Sequence, residues 1–187
     1  PPVAGRAPRH PPAIAELSRG APCSIRLLTV RDERDRPELV EAVFRMPVSS
    51  DVLTANVELE SGRLGLANGL PEGGWRDAHP ETGARILERA LPAWREVRAL
   101  GLAAHAAFLD HVIVGWDVAL LEDGPCLISG DASPDLDLHQ RCRREPLGNA
   151  RAGKLLAFHT LHARAKEAAG RTRRRGSEGP ISLPRDN

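Results

Sequence analysis

The 187-residue chain is 41% apolar and 27% charged, an ordinary globular composition with enough residues to bury one core, which excludes a disordered or fibrous protein. Aromatics make up only 3%, with no Tyr, which argues against a nucleic-acid binder that stacks bases, and no apolar run approaches the ~18 residues of a membrane span. The net charge is +1, yet residues 141–175 hold eleven Arg or Lys against Glu145 and Glu167, so this segment carries +9 and the remainder −8. The plainest reading of that asymmetry is an acidic body with a solvated basic helix and tail.

The first stretch, PPVAGRAPRHPP, has no apolar signal-peptide core and no initiator Met, as expected of a processed, trimmed or partial chain. Residues 1–14 are Pro-rich and read as an extended or disordered segment. SIRLLTV (24–30) is apolar and β-branched and runs into the charged turn RDERDRP. Val40, Ala42, Phe44 and Met46 then alternate up to Pro47, so the two runs predict a hairpin. ANVELESGRLGLA (55–67) alternates around Ser-Gly and predicts a second one. A helix is expected from Pro92 to Asp110, with Trp94, Val97, Gly101, Ala104 and Phe108 on one stripe. HVIVGWDVALLEDGPCLISGD follows, two apolar runs around Glu122-Asp123-Gly124, the clearest hairpin signal in the chain. The last predicted helix covers 151–169, and the tail from Gly170 reads as basic and disordered. Strands joined by short turns point to an α+β domain over residues 15–169, an antiparallel sheet flanked by helices.

Chemistry concentrates on the third hairpin. A three-residue loop at 122–124 sets Leu121 against Pro125, Asp117 against Ser129 and Gly115 against Asp131. Asp117, Ser129 and Asp131 then crowd one sheet face, where hard oxygen donors suit Mg²⁺ or Mn²⁺ shared with phosphate. A two-residue loop would turn Asp117 to the other face. The plain alternative is a salt-bridged Asp117 beside a turn. Trp116 is expected to face the core helices if Asp117 faces the site.

The histidines form no HxH or HExxH pattern. His105, on an apolar helix, reads as a hydrogen-bonded core residue, and His79 as one that orients a loop. His159 and His162, at i, i+3, are a weak metal pair at most. NGLPEGG (68–74) lacks the lysine and the strand-to-helix setting of a phosphate-binding loop. Cys23, Cys126 and Cys142 are widely spaced and form no CxxC pair, which fits a reducing cytoplasm.

From His10 to Gln140 the chain resembles the C-terminal part of the sugar-transfer-associated ATP-grasp family, relatives of the α-L-glutamate-ligase-like ATP-grasp enzymes. The likeness rests on five pieces in order: HPPAIAELSRGAPCSIRLLTVRD, VFRMP, ESGRLGLA, HPETGARI with LPAW, and VGWDVALLEDGPCLI. It implies the C-terminal lobe of an ATP-grasp fold, with ATP and Mg²⁺ as cofactors and a small-molecule carboxylate as substrate. The implied reaction makes an acyl phosphate that an amine or similar nucleophile attacks. By position, Asp117 matches the family's first metal-ligand aspartate, and Arg26 and Arg45 match arginines that reach phosphate or substrate carboxylate. The family has Glu and Asn where this chain has Ser129 and Asp131, so Asp117 and Asp131 are the expected metal ligands and Ser129 marks an altered position. A "D-N…G-G" stretch of the family is shortened near Asn56. The lobe with the ATP-contacting lysine lies upstream of the likeness, and Lys154 and Lys166 sit on the last helix, so the chain reads as half of an ATP site. The alternative is a truncated or degenerate remnant that acts as a non-catalytic binding module.

Overall fold

The computed structural model describes residues 9–18, 22–49, 51–69 and 73–177, with side chains to residue 168. Six strands form one antiparallel sheet: β1 (Ser24–Arg31), β2 (Pro37–Pro47), β3 (Val52–Val57), β4 (Leu64–Asn68), β5 (Ile113–Leu121) and β6 (Gly124–Asp131). Their order across the sheet is β4-β3-β2-β1-β5-β6, so three hairpins lie side by side and the outer two flank β1 and β2. The helices are α1 (Pro12–Ala15), α2 (Trp94–Ala106), α3 (Leu136–Arg143) and α4 (Arg151–Ser177), with a 3-10 turn at Leu147–Asn149. All three predicted hairpins are present, and the α+β antiparallel architecture stands as a lobe of the expected kind.

Alternation along the strands sorts side chains onto two faces. Ile25, Leu27, Phe44, Met46, Leu53, Trp116 and Val118 meet Trp94 and Val97 of α2 in the main core. Burying side chains of this size contributes roughly 1.5–3 kcal/mol each. Gly101 lets α2 approach closely, since a Cβ there would lie 2.5 Å from Leu27 Cδ1. On the opposite face, Leu28, Val30 and Val40 pack against Leu147, Ala152 and Leu155. Arg26, Arg45 and Asp117 share that second face with them.

Three boundaries differ from the sequence expectation. Residues 1–8 lie outside the described residues, but 9–15 are docked rather than loose. His10 Nδ1 donates to the Leu120 carbonyl (2.7 Å), its Nε2 accepts from Cys23 N–H (2.9 Å), and Ile14 is buried. Helix α2 stops at Ala106, short of Asp110, because Phe108 and His111 N–H groups close turns on His105 and Phe108 carbonyls. Helix α4 continues past Ala169 to Ser177; arginine is a good helix former, and the RTRRR run carries the backbone on. Residues 178–187 lie outside the described residues.

Candidate functional site

The third hairpin reaches the expected register by a different route. Its loop has two residues, Glu122 and Asp123, with Leu121 opposite Gly124 and Leu120 opposite Pro125. That register alone would face Asp117 away from Ser129. A β-bulge between Asp117 and Val118 on the partner side restores it: Val118 pairs with Leu127 and Asp117 with Ser129, leaving Ile128 as the extra residue. Gly115 then pairs with Asp131. Trp116 points into the α2 core, as predicted, and its indole donates to Thr29 Oγ1 at 2.9 Å.

The structure brings all five predicted residues to one face. Arg26 on β1 forks onto Asp117, with Nε and Nη2 each 2.8 Å from a separate carboxylate oxygen. Ser129 Oγ donates to Asp117 Oδ2 at 3.1 Å. Arg45 Nη1 stands 3.7 Å from Asp117 Oδ1, and Arg26 Nη1 stands 3.7 Å from Asp131 Oδ2. The Arg26 and Asp117 side chains are only 16% and 15% exposed, so this pair is largely shielded from solvent. Arg45 and Asp131 are more open, at 35% and 48%. The other oxygen of Asp131 accepts from Ser133 N–H at 2.9 Å.

Helix α3, which the sequence reading did not anticipate, covers part of this face. Asp135 caps it by accepting from the N–H groups of Asp137 and Leu138, a signal readable in P-D-L-D. Gly115 makes room for it: a Cβ there would lie 2.9 Å from Pro134 Cβ and 3.2 Å from Arg26 Nη1. Cys142 donates to Thr54 Oγ1 (3.3 Å), and Arg143 Nη1 donates to the buried Glu41 (2.7 Å). Burial pushes Glu41 above the usual carboxylate range, while Arg143 opposes that rise. His139 is 1% exposed and neither ring nitrogen has a hydrogen bond among the described residues. Burial first, and the Arg26 charge second, hold its pKa down to about 4.

Beside the cluster lies a cleft of about 530 Å³, bordered by Arg45 of β2, Thr54 of β3, Asn68, Trp75 and Asp135. Arg45 thus belongs to both the cluster and the cleft. Four of the other histidines have ring partners. His79 is buried and its ring meets the Pro47 carbonyl (3.3 Å) and Glu81 N–H (3.3 Å), so it orients its loop. His105 bonds Thr29 Oγ1 (2.7 Å) and the His111 carbonyl (3.1 Å) in the core. His159 and His162 bond the carbonyls of Arg31 and Phe158 rather than each other's side of a metal.

The donor set fits a Mg²⁺ ion only in company. Among the described residues no three His, Cys, Asp or Glu side chains are grouped to hold a metal. Asp117 already accepts from Arg26 and Ser129. Mg²⁺, however, is commonly bound through one or two carboxylates plus substrate phosphates. Asp131, half exposed, with Asp117 beneath it, suits an ion that arrives on a phosphate rather than a resident one.

The description "sugar-transfer associated ATP-grasp" matches residues 9–151, most of the chain. The chain belongs to that family. In this ATP-grasp protein the matched stretch contains the whole sheet, the Arg26–Asp117 cluster and α3. Membership supports an ATP-grasp-like function in general, with nucleotide and small-molecule substrates. No curated protein matches the chain. Among the described residues no helix is long and apolar enough to cross a membrane.

Proposed function

We propose that this lobe serves MgATP-dependent activation of a carboxylate, of the ligase type. A substrate carboxylate oxygen attacks the γ-phosphorus, and ADP leaves with the bridging oxygen. An amine or similar nucleophile then attacks the acyl carbon, and inorganic phosphate leaves. The observation that carries this reading is the convergence of Arg26, Arg45, Asp117 and Asp131 on one sheet face beside an open cleft. Arg45, which makes no hydrogen bond among the described residues, is the guanidinium left to take a phosphate or carboxylate. Arg26 is held by Asp117 and fixes the positive charge in place before substrate arrives. Bound Mg²⁺, resting on Asp131 and Asp117, would offset phosphate charge. The family description points to polysaccharide or surface-sugar metabolism as the setting, and the free cysteines to the cytoplasm.

Calorimetry of the purified chain with MgATP tests the reading. Saturable binding at or below millimolar nucleotide is expected, and Arg45→Ala should weaken it about 10- to 100-fold, the loss of a charged hydrogen bond of roughly 1.5–3 kcal/mol. Absence of any heat at millimolar MgATP refutes it. A second reading, a non-catalytic anion-binding remnant, is favoured by the neutral Ser129 and the fully engaged Asp117. It predicts ATP binding that is indifferent to Mg²⁺ and to Asp117→Asn. The ligase reading predicts that Asp117→Asn weakens the Mg²⁺ dependence.

A further inference from the structure

We infer that the cleft beside Arg45 binds a polyhydroxylated ring bearing one carboxylate, a sugar acid. Its volume, about 530 Å³, suits a ligand of one or two such rings. Its lining combines an aromatic plate, Arg45 at the cluster end, Arg141 of α3 held in an ion pair with Asp137, and hydroxyl-binding groups between them.

The plate is Trp75. The other two tryptophans, Trp94 and Trp116, are buried in the core, whereas Trp75 is 37% exposed at the cleft. The Arg144 guanidinium sits 3.8 Å from its ring centroid, which fixes the indole before any ligand arrives. An apolar plate held in a polar cleft matches the C–H face of a pyranose, because such a ring is apolar on its flats and polar at its rim.

The rim groups are equally prepared. Thr54 Oγ1 donates to Asn68 Oδ1 at 3.0 Å, which orients the amide and leaves its NH₂ as a donor. Asp51 uses one oxygen on Val52 N–H (2.7 Å), and Asp135 uses one on the first turn of α3. The second oxygen of each has no hydrogen bond among the described residues. Carboxylate and amide groups of this kind accept from and donate to neighbouring hydroxyls. Of the two arginines at the cleft, Arg141 is engaged by Asp137, so Arg45 is left to take a single negative charge, and Asp51 and Asp135 oppose any further one. A monoanion rich in hydroxyls satisfies both conditions. That this acid is the one activated rests on the ligase reading above; the binding itself rests on the cleft alone.

The test is calorimetric titration of the full chain with D-glucuronate, D-galacturonate, D-glucose and acetate, alongside tryptophan fluorescence. One of the uronates should bind at least ten-fold more tightly than glucose, which lacks the charge, and than acetate, which lacks the ring. Trp75→Ala should weaken that binding ten-fold or more, and Arg45→Gln should erase the preference for uronate over glucose. Trp75→Phe should keep binding within about three-fold while abolishing the fluorescence response. Should Trp75→Ala fail to fold, Asp135→Asn decides: asparagine caps a helix as well as aspartate does, yet it replaces a hydroxyl acceptor, so uronate affinity should fall several-fold with the helix intact. Uronates that bind no better than glucose and acetate, or binding unchanged in Arg45→Gln and Asp135→Asn, overturn the inference. MgATP binding without uronate binding overturns it and leaves the ligase reading standing; uronate binding without MgATP binding does the reverse.

Discussion

Asp117 separates two physical pictures, and its removal measures which one holds. As the acceptor of a two-point guanidinium fork it stabilises the folded chain. As a metal ligand awaiting its ion it would be an idle charge on a shielded sheet face, and replacing it would be neutral or stabilising. The geometry favours the first picture: two donors at 2.8 Å, a third from Ser129 at 3.1 Å, and side chains about 15% exposed. Breaking a buried ion pair from one side costs about 3–5 kcal/mol. Residual exposure here, and the second carboxylate 3.7 Å from Arg26, reduce that to about 2–3 kcal/mol. With a urea slope of about 2 kcal/mol per molar, Asp117→Asn should lower the unfolding midpoint by about 1–1.5 M. The cycle with Arg26→Met completes the measurement. The double variant should be destabilised by clearly less than the sum of the singles, with a coupling near 2 kcal/mol. Additive effects, or an Asp117→Asn loss below about 0.5 kcal/mol, refute the pair as a structural unit.

Two further predictions concern the surroundings of the cluster. At Gly130 a Cβ would lie 2.5 Å from Trp116 Cζ3, so Gly130→Ala should cost about 1–3 kcal/mol and lower the melting temperature by several degrees in a thermal melt. His139 carries a pH signature. Its folded pKa, about 4, lies below the ordinary 6.5, so the unfolded chain binds more protons between those values. Its contribution is therefore complete above about pH 6.5 and lost as pH falls toward 4, by up to about 3 kcal/mol. Glu41, whose pKa is raised by burial, acts with the opposite sign, and His105, lowered by burial, with the same sign. His139→Leu should flatten the fall in melting temperature between pH 6.5 and 4 relative to the parent; parallel curves would count against a neutral buried imidazole.

Periodicity made the hairpins legible, because each of β1 to β5 has one face on the main core and the apolar residues there recur every two positions, while β6 was read from its turn. It could not reveal how the third hairpin closes. Glu122-Asp123-Gly124 is compatible with a two- or a three-residue loop, and the bulge at Ile128 falls in a run, CLISG, where nothing in the side chains marks an extra residue. The expected facing of Asp117 and Ser129 is therefore right while the expected loop is not, two one-residue displacements having cancelled. Helix α3 escaped for another reason. It is eight residues long and strongly polar, and its buried side, His139 and Cys142, offers no apolar stripe. The same gap hid the cleft, since Trp75, Thr54 and Asp135 come together only through α3 and the sheet. Arg26 and Asp117, 91 positions apart, meet because β1 and β5 are neighbours, a pairing no local pattern encodes.

Ser129 sets the charge balance of the cluster, and it supplies a last test. Arg26 and Arg45 against Asp117 and Asp131 sum to zero charge, and the Ser129 hydroxyl adds a donor to Asp117 where the family pattern has a carboxylate. Glu at 129 would set two carboxylates directly across from each other on paired strands, an unfavourable juxtaposition that a divalent cation relieves. Ser129→Glu should therefore lower the melting temperature in the presence of a chelator. Added Mg²⁺ should then raise it. If the restored site binds with a dissociation constant near 1 mM, 10 mM Mg²⁺ stabilises it by about 1.4 kcal/mol, or roughly 3–5 °C for a chain of this length. The parent chain, already neutral at this face, should gain much less from the same addition. A parent that responds to Mg²⁺ as strongly as Ser129→Glu would mean that Asp117 and Asp131 hold the ion without help, and that Arg26 gives way when it binds.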